Sequence, residues 1–176
     1  MSMIVLLDRP CATVGDHLQF HMPVEVEPID RNGVSVEIDD DAQVTVDAFR
    51  VDEGWMLNVR GTLTVRLRCD RCLEPATLPL SLSFQAEAAE DAASVEEDDL
   101  LLPMNRDTVD ISERVREHII LALPLKVLCR PDCQGLCPQC GQDLNQGSCD
   151  CDTTDLDPRL EGLAELKAQL IETEKD

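Results

Sequence analysis

From residue 20 to residue 84 the chain repeatedly alternates apolar and polar positions. Phe20, Met22, Val24 and Val26 alternate with polar or exposed positions, and Val34-Ser35-Val36-Glu37-Ile38 and Val44-Thr45-Val46 keep the same period of two. Successive side chains of a strand point to opposite faces, so this period predicts half-buried strands. Asp30-Arg31-Asn32-Gly33 and Asp52-Glu53-Gly54 supply turn chemistry between them. Trp55, Leu57 and Val59 then lead through Gly61 into Leu63, Val65 and Leu67, and Leu78, Leu80, Leu82 and Phe84 make a further strand. Residues 1–84 therefore read as a mainly β-sheet region, an antiparallel sheet or partial β-barrel.

The period then breaks. Residues 85–106 carry Glu87, Glu90, Asp91, Glu96, Glu97, Asp98 and Asp99, and no Lys or Arg occurs between Arg71 and Arg106. Such a run predicts a flexible, solvated acidic loop, with Leu100, Leu101 and Leu102 placed to anchor its far end. Over 107–128 the pattern reads as a helix and an exit strand: Ile111, Val115 and Ile119 lie four residues apart, Asp110 can cap the helix, and Pro124 stops it or forces an extended exit. His118 sits beside that stripe, where a partly buried structural histidine is expected before a metal ligand. Residues 129–176 form a cysteine-rich segment followed by a terminal helix, with Asp157 as cap, Pro158 at its first position and Leu160, Leu163, Leu166 and Leu170 on one face. The class expected is α+β, with one central helix and a second at the terminus.

Composition narrows the function. Fifteen basic residues against thirty-six acidic ones give a formal charge of −21 over 176 residues. A nonspecific grip on nucleic acid works by neutralising phosphates, which this surface would repel. The balance favours protein partners, or a local basic patch on an acidic body. No apolar run has the length of a membrane span, and Met1–Asp8 lacks the positive start and long apolar stretch of a secretion signal, so a cytoplasmic location is expected. The nine cysteines should then stay reduced, and clustered thiols in a reducing compartment point to metal.

Two segments hold those thiols. Cys69-Asp70-Arg71-Cys72 lies between two expected strands. The other runs from Cys129-Arg130-Pro131-Asp132-Cys133 through Cys137-Pro138-Gln139-Cys140-Gly141 to Cys149-Asp150-Cys151. Two cysteines two residues apart can face one ion from a tight turn, and the proline and following glycine of Cys137–Gly141 favour that turn. Cys137, Cys140, Cys149 and Cys151 are read as one four-thiolate zinc site. Cys69 and Cys72 pair most simply with Cys129 and Cys133 in a second, which would leave Cys11 as the spare and tie the sheet to the end of the helix. Other assignments stay open: Cys69 and Cys72 as plain thiols, or Cys129 or Cys133 replacing a member of the first site.

All-cysteine sets are closed and support structure, whereas catalytic zinc keeps an open position. Nothing else in the chain reads as an acid/base pair, a phosphate loop or a hydrolase serine, so no enzymatic activity is expected. The one basic feature is Arg60, Arg66, Arg68 and Arg71 around the first cysteine pair. Arg66 and Arg68 share one strand face, placed to clamp phosphates or to pair with the protein's own carboxylates.

Taken together, Cys69-Asp70-Arg71-Cys72-Leu73-Glu74-Pro75, Leu121-Ala122-Leu123-Pro124, Cys129 through Gly141, Asp143-Leu144-Asn145 and Asp157-Pro158-Arg159-Leu160 resemble the YceD family in order and spacing, over roughly residues 50–170. That resemblance implies a non-catalytic factor in large ribosomal subunit assembly or 23S rRNA accumulation, with ribosomal RNA or a basic ribosomal protein as partner. Two other classes fit the cysteines alone: a zinc-stabilised interaction adaptor and a zinc-thiolate redox sensor.

Overall fold

Alternation has its structural counterpart in a long central hairpin. The computed structural model describes residues 2–7, 13–31, 33–52, 54–89 and 101–151. Strand β1 spans Ile4–Leu6, β2 His17–Pro23, β3 Ile29–Arg31, β4 Val34–Ile38, β5 Gln43–Val51, β6 Gly54–Arg68, β7 Pro75–Ala89, β8 Leu101–Asn105 and β9 Thr108–Asp110, and helix α1 spans Ser112–Ala122. The 15-residue strands β6 and β7 pair antiparallel from Trp55↔Ala88 to Arg68↔Pro75. On its other edge β6 pairs with β5 along its first half and with β4 near its end, while β2 pairs with β5. Beyond β7 the order continues through β8 and β9 to β1.

The chain divides into two compact units, Met1–Pro131 and Asp132–Asp176. The first is a curled half-barrel. One face of its sheet is apolar: Val46 opposes Val59, Val59 opposes Phe84, and Leu57 opposes Ala86, all buried. Helix α1 packs on β7 and buries Val115 and Ile119, with Ile111 just before it. Each of these three contributes about 2 kcal/mol of burial. Leu123 is extended and Pro124 follows it, so the helix stops where the sequence forbids it to continue.

Four expectations are corrected. Among the described residues, nine strands and one helix make a structure that is mostly sheet, more β-rich than the α+β class expected. The sheet is not wholly antiparallel, because β7 and β8 run parallel from Glu87↔Leu101 to Ala89↔Pro103. Residues 85–89 and 101–105 are strand, not acidic loop: Ala86 and Ala88 keep the inward alternation at 1 % exposure while Glu87 faces out. Small alanines in an acidic stretch hid that period. In the stretch 107–128 the sequence gives way to β9 before the helix, and the Asp110 carboxylate accepts the Ser112 N–H ahead of a cap position held by Ile111. The rest of the acidic loop, the terminal helix with Asp157 and Pro158, and Cys11 lie outside the described residues.

Candidate metal centres

The turn between β6 and β7 is built to present sulfur. Cys69 N–H donates to the Glu74 carbonyl at 2.8 Å and Leu73 N–H to the Cys69 carbonyl at 3.0 Å. Leu73 takes a left-handed φ of 63°, uncommon for a bulky residue, and this folds the segment back into β7. Cys69 and Cys72 are buried, at 0 and 6 % exposure, and the Arg71 N–H points at Cys69 Sγ over 3.5 Å.

Asp70 fixes what faces this turn. Its N–H donates to the Val127 carbonyl at 2.8 Å, and its carboxylate accepts the Val127 N–H at 2.6 Å. Val127 is thereby clasped by one residue's main and side chain, and Cys129 follows two positions later. The sulfurs of Cys72 and Cys129 stand 3.5 Å apart. The sulfurs of Cys69, Cys72, Cys129 and Cys133 all lie within 4.8 Å of one another.

The other cluster lies wholly within the second unit. Cys137 N–H donates to the Gln142 carbonyl at 2.8 Å and Gly141 N–H to the Cys137 carbonyl at 2.9 Å, closing a loop around Pro138–Cys140. Gly141 has φ 75°, a conformation that a Cβ would oppose. A bridge between Leu136 and Asp143 closes the base of the loop. The Gln142 side chain donates to the Ser148 carbonyl at 3.2 Å, which returns the chain beside the loop just before Cys149. Here too the sulfurs of Cys137, Cys140, Cys149 and Cys151 lie within 4.8 Å of one another.

A tetrahedral ion with metal–sulfur bonds of about 2.3 Å needs sulfurs about 3.8 Å apart. Both quartets gather within 4.8 Å, a spacing compatible with that requirement, so the donor sets suit a thiophilic metal such as zinc. The electrostatics agree. Burial opposes ionisation of Cys69, but main-chain donors from Cys129, Cys72 and Arg71 outweigh it and bring the thiol down to about 6. The Cys140 and Gln139 N–H groups bring Cys137 down to about 6 against its burial. Cys151 is pushed up to about 12, first by the neighbouring Cys140 sulfur and then by burial. One thiolate forms readily in the second quartet, and further thiolates beside it are repelled. A divalent cation removes that repulsion.

The expected arginine cluster does not act as a unit. Arg60 donates to Asp47 at 2.5 Å, and Arg66 pairs with Asp39. Both therefore bind the protein's own carboxylates. Arg68 is exposed and borders a hollow with Arg31 and Asp70, and Arg71 is exposed while its main-chain N–H faces Cys69 Sγ. His118 stacks on Phe84 at 4.1 Å, and its Nδ1 lies 2.9 Å from the Arg114 carbonyl, so it serves the core and not a metal group. Sequence reasoning missed Asp47, which is only 4 % exposed on the outer sheet face. It also missed the role of Asp70. The signal for Asp47 was a lone acid in the segment that forms β5, Gln43–Val51; nothing in spacing marked its partners.

A model of the family described as large ribosomal RNA subunit accumulation protein YceD matches residues 57–167, well over half of the chain. An uncharacterized protein of Mycobacterium tuberculosis is 28% identical over 155 residues, covering 75% of this chain and 75% of the relative. The chloroplastic large ribosomal RNA subunit accumulation protein YCED homolog 1 of Arabidopsis thaliana is 26% identical over 161 residues, which is 75% of this chain and 50% of the plant protein. Its Zea mays counterpart is 30% identical over 156 residues, 70% of this chain and 52% of its own length. The chain thus spans about half the length of these plant relatives. No solved structure matches it significantly.

Proposed function

The chain belongs to the YceD family, and from that membership we propose that it is a non-catalytic factor in the accumulation of large-subunit ribosomal RNA, its fold held by two four-thiolate zinc sites. The observation that carries this reading is the family match over residues 57–167, a span that contains all eight clustered cysteines. Bound zinc would supply rigid cross-links and no open coordination position, because each quartet offers a full tetrahedral set. Cys69, Cys72, Cys129 and Cys133 would hold one ion, and Cys137, Cys140, Cys149 and Cys151 the other.

The described residues show no helix long and apolar enough to cross a membrane. Reduced, metal-bound thiolates suit a cytoplasmic site of action. The partner in this reading is ribosomal RNA or a basic ribosomal protein, and the acidic surface suits the latter as a whole.

The test is deletion of the gene, with the ratio of large- to small-subunit rRNA measured at steady state. A fall in that ratio, restored by the intact gene, is the expected result. An unchanged ratio and unchanged subunit profile would remove the proposal.

A further inference from the structure

The outer face of the sheet, opposite the core, carries a groove that the metal sites do not explain. Register places Gln19, Asp47, Asn58 and Gln85 in one cross-strand row, and His21, Thr45, Arg60 and Ser83 in the next. A hollow of about 310 Å³ opens over these rows, bounded by Phe49, Asn58, Arg60, Ser83 and Gln85. That volume is at the lower end for small-molecule sites. A shallower depression continues from Arg60 and Ser83 past Gly61 to Thr62 and Ser81.

The chemistry along this track is ordered. At one end stands Phe49, 36 % exposed and stacked flat against His17, with ring centres 4.5 Å apart and planes at 11°. Amides follow, then a guanidinium, then small residues and hydroxyls. The acid on the floor carries no free charge. Asp47 accepts from Gln19 at 2.7 Å and from Arg60 at 2.5 Å, and His17 Nε2 lies 3.1 Å away. Arg60 gives one N–H to that contact while its side chain stays 66 % exposed, which leaves donors facing solvent. Asn58 Oδ1 is buried with no hydrogen-bond partner among the described residues. A buried acceptor without a donor is unfavourable, and a ligand donor entering the groove would relieve it.

We propose that this groove binds one unpaired nucleotide of RNA. The base would lie against Phe49 with its edge toward Asn58 and Gln85, and its phosphate would meet Arg60 and Ser83. Single-stranded RNA is recognised by stacking on aromatic side chains and hydrogen bonds to base edges, the two elements that the groove sets side by side. A basic peptide fits less well, because Asp47 is already saturated. The −21 charge opposes long-range attraction of RNA, so this contact would rest on stacking, base-edge hydrogen bonds and the single phosphate at Arg60. The inference rests on the proposed role with ribosomal RNA and gives it a surface.

The test uses the intact, zinc-loaded chain and fluorescently labelled ten-nucleotide RNAs of each base, read by anisotropy, beside a duplex of the same length. Binding is expected for at least one single strand and not for the duplex. Phe49→Ala and Gln85→Ala should each weaken it roughly ten-fold with melting temperature unchanged. The logarithm of affinity should fall with the logarithm of salt at a slope of about −0.7, the value for one phosphate on a single strand. No binding to any single strand, equal binding to the duplex, or affinity untouched by both variants overturns the proposal. So does a lysine-rich decapeptide that binds through Phe49 in place of RNA. If the deletion strain keeps a normal rRNA ratio while Phe49-dependent binding is present, the family-based role fails and the groove stands. The reverse pattern removes the groove alone.

Discussion

Arg31 and Asp70 form a two-point ion pair: the guanidinium nitrogens donate to the two carboxylate oxygens at 3.0 and 3.2 Å. The same guanidinium donates to the Leu125 carbonyl at 2.7 Å. A residue at the end of β3 thus grips both the cysteine turn and the segment leading to Cys129. Arginine suits this position because its planar fork can serve a carboxylate and a carbonyl at once.

Removing the carboxylate should therefore loosen both. Asp70→Ala is expected to cost about 2 kcal/mol in denaturant unfolding, since it leaves the Val127 N–H without its acceptor and Arg31 with main-chain carbonyls alone. It should also weaken metal at the quartet containing Cys69 and Cys72 by roughly 10- to 100-fold, as loss of supporting groups does. Competition with a chelating dye reads this directly. Equal metal affinity in the variant would show that the clasp does not position the thiols.

Acid should act through Asp47. The Arg60 hydrogen bond, then that of Gln19, holds its carboxyl at about 2 despite opposing burial, with His17 adding to the effect. Unfolded, an aspartate titrates near 3.9. Its folded value is depressed, so its stabilisation is present above about pH 4 and is lost as pH falls toward about 2. Asp70 is depressed in the same sense, first by Arg31 and then by the Val127 N–H. Asp47→Asn should flatten the wild-type loss of stability between about pH 4 and about pH 2. At neutral pH it should cost only about 1 kcal/mol, because Arg60 is 66 % exposed and water screens the pair. Subtracting the two pH profiles isolates Asp47 from acid release of the cysteine ligands; identical profiles would contradict the assignment.

The elements legible from the residues were those with a strong local period. Val34–Ile38 coincides with β4, and the stripe Ile111, Val115, Ile119 faces the core. Cysteine spacing likewise announced both thiol groups. The strands β1, β3 and β9 were not legible, because three residues carry too little pattern to stand out, and Leu101–Asn105 of β8 lacks the alternation that marked the equally short β4. They are held by pairing: Val5 lies opposite Val109, and both are buried. The outer groove was invisible for a related reason. Gln19, Asp47, Asn58 and Gln85 are neighbours only through register across four strands.

Among the described glycines, Gly54 has the least room for a side chain. A Cβ built there would stand 2.1 Å from the Ala88 carbonyl oxygen, a main-chain atom that cannot swing aside. Gly54→Ala should therefore push β6 from β7 at its first residues and cost about 3 kcal/mol, the upper range for overpacking. Thermal unfolding measures it. A variant as stable as the parent would show that the strand ends can part without strain.

The two quartets predict a stoichiometry that their geometry makes separable. Each set of four sulfurs lies within 4.8 Å, and no cysteine is shared between them. Protein purified without added metal should hold two zinc ions per chain. Cys69→Ser/Cys72→Ser and Cys137→Ser/Cys140→Ser should each hold one. Cobalt substitution should give thiolate charge-transfer bands that halve in either double variant, because four sulfurs would ligate each ion. Metal binding is folding free energy where the unfolded chain has no site. Chelation should therefore lower the unfolding midpoint of the parent by more than that of either double variant. A parent that binds one ion, unchanged by Cys69→Ser/Cys72→Ser, would confine zinc to the second quartet and leave the cysteine turn held by the Asp70 clasp and its hydrogen bonds without metal.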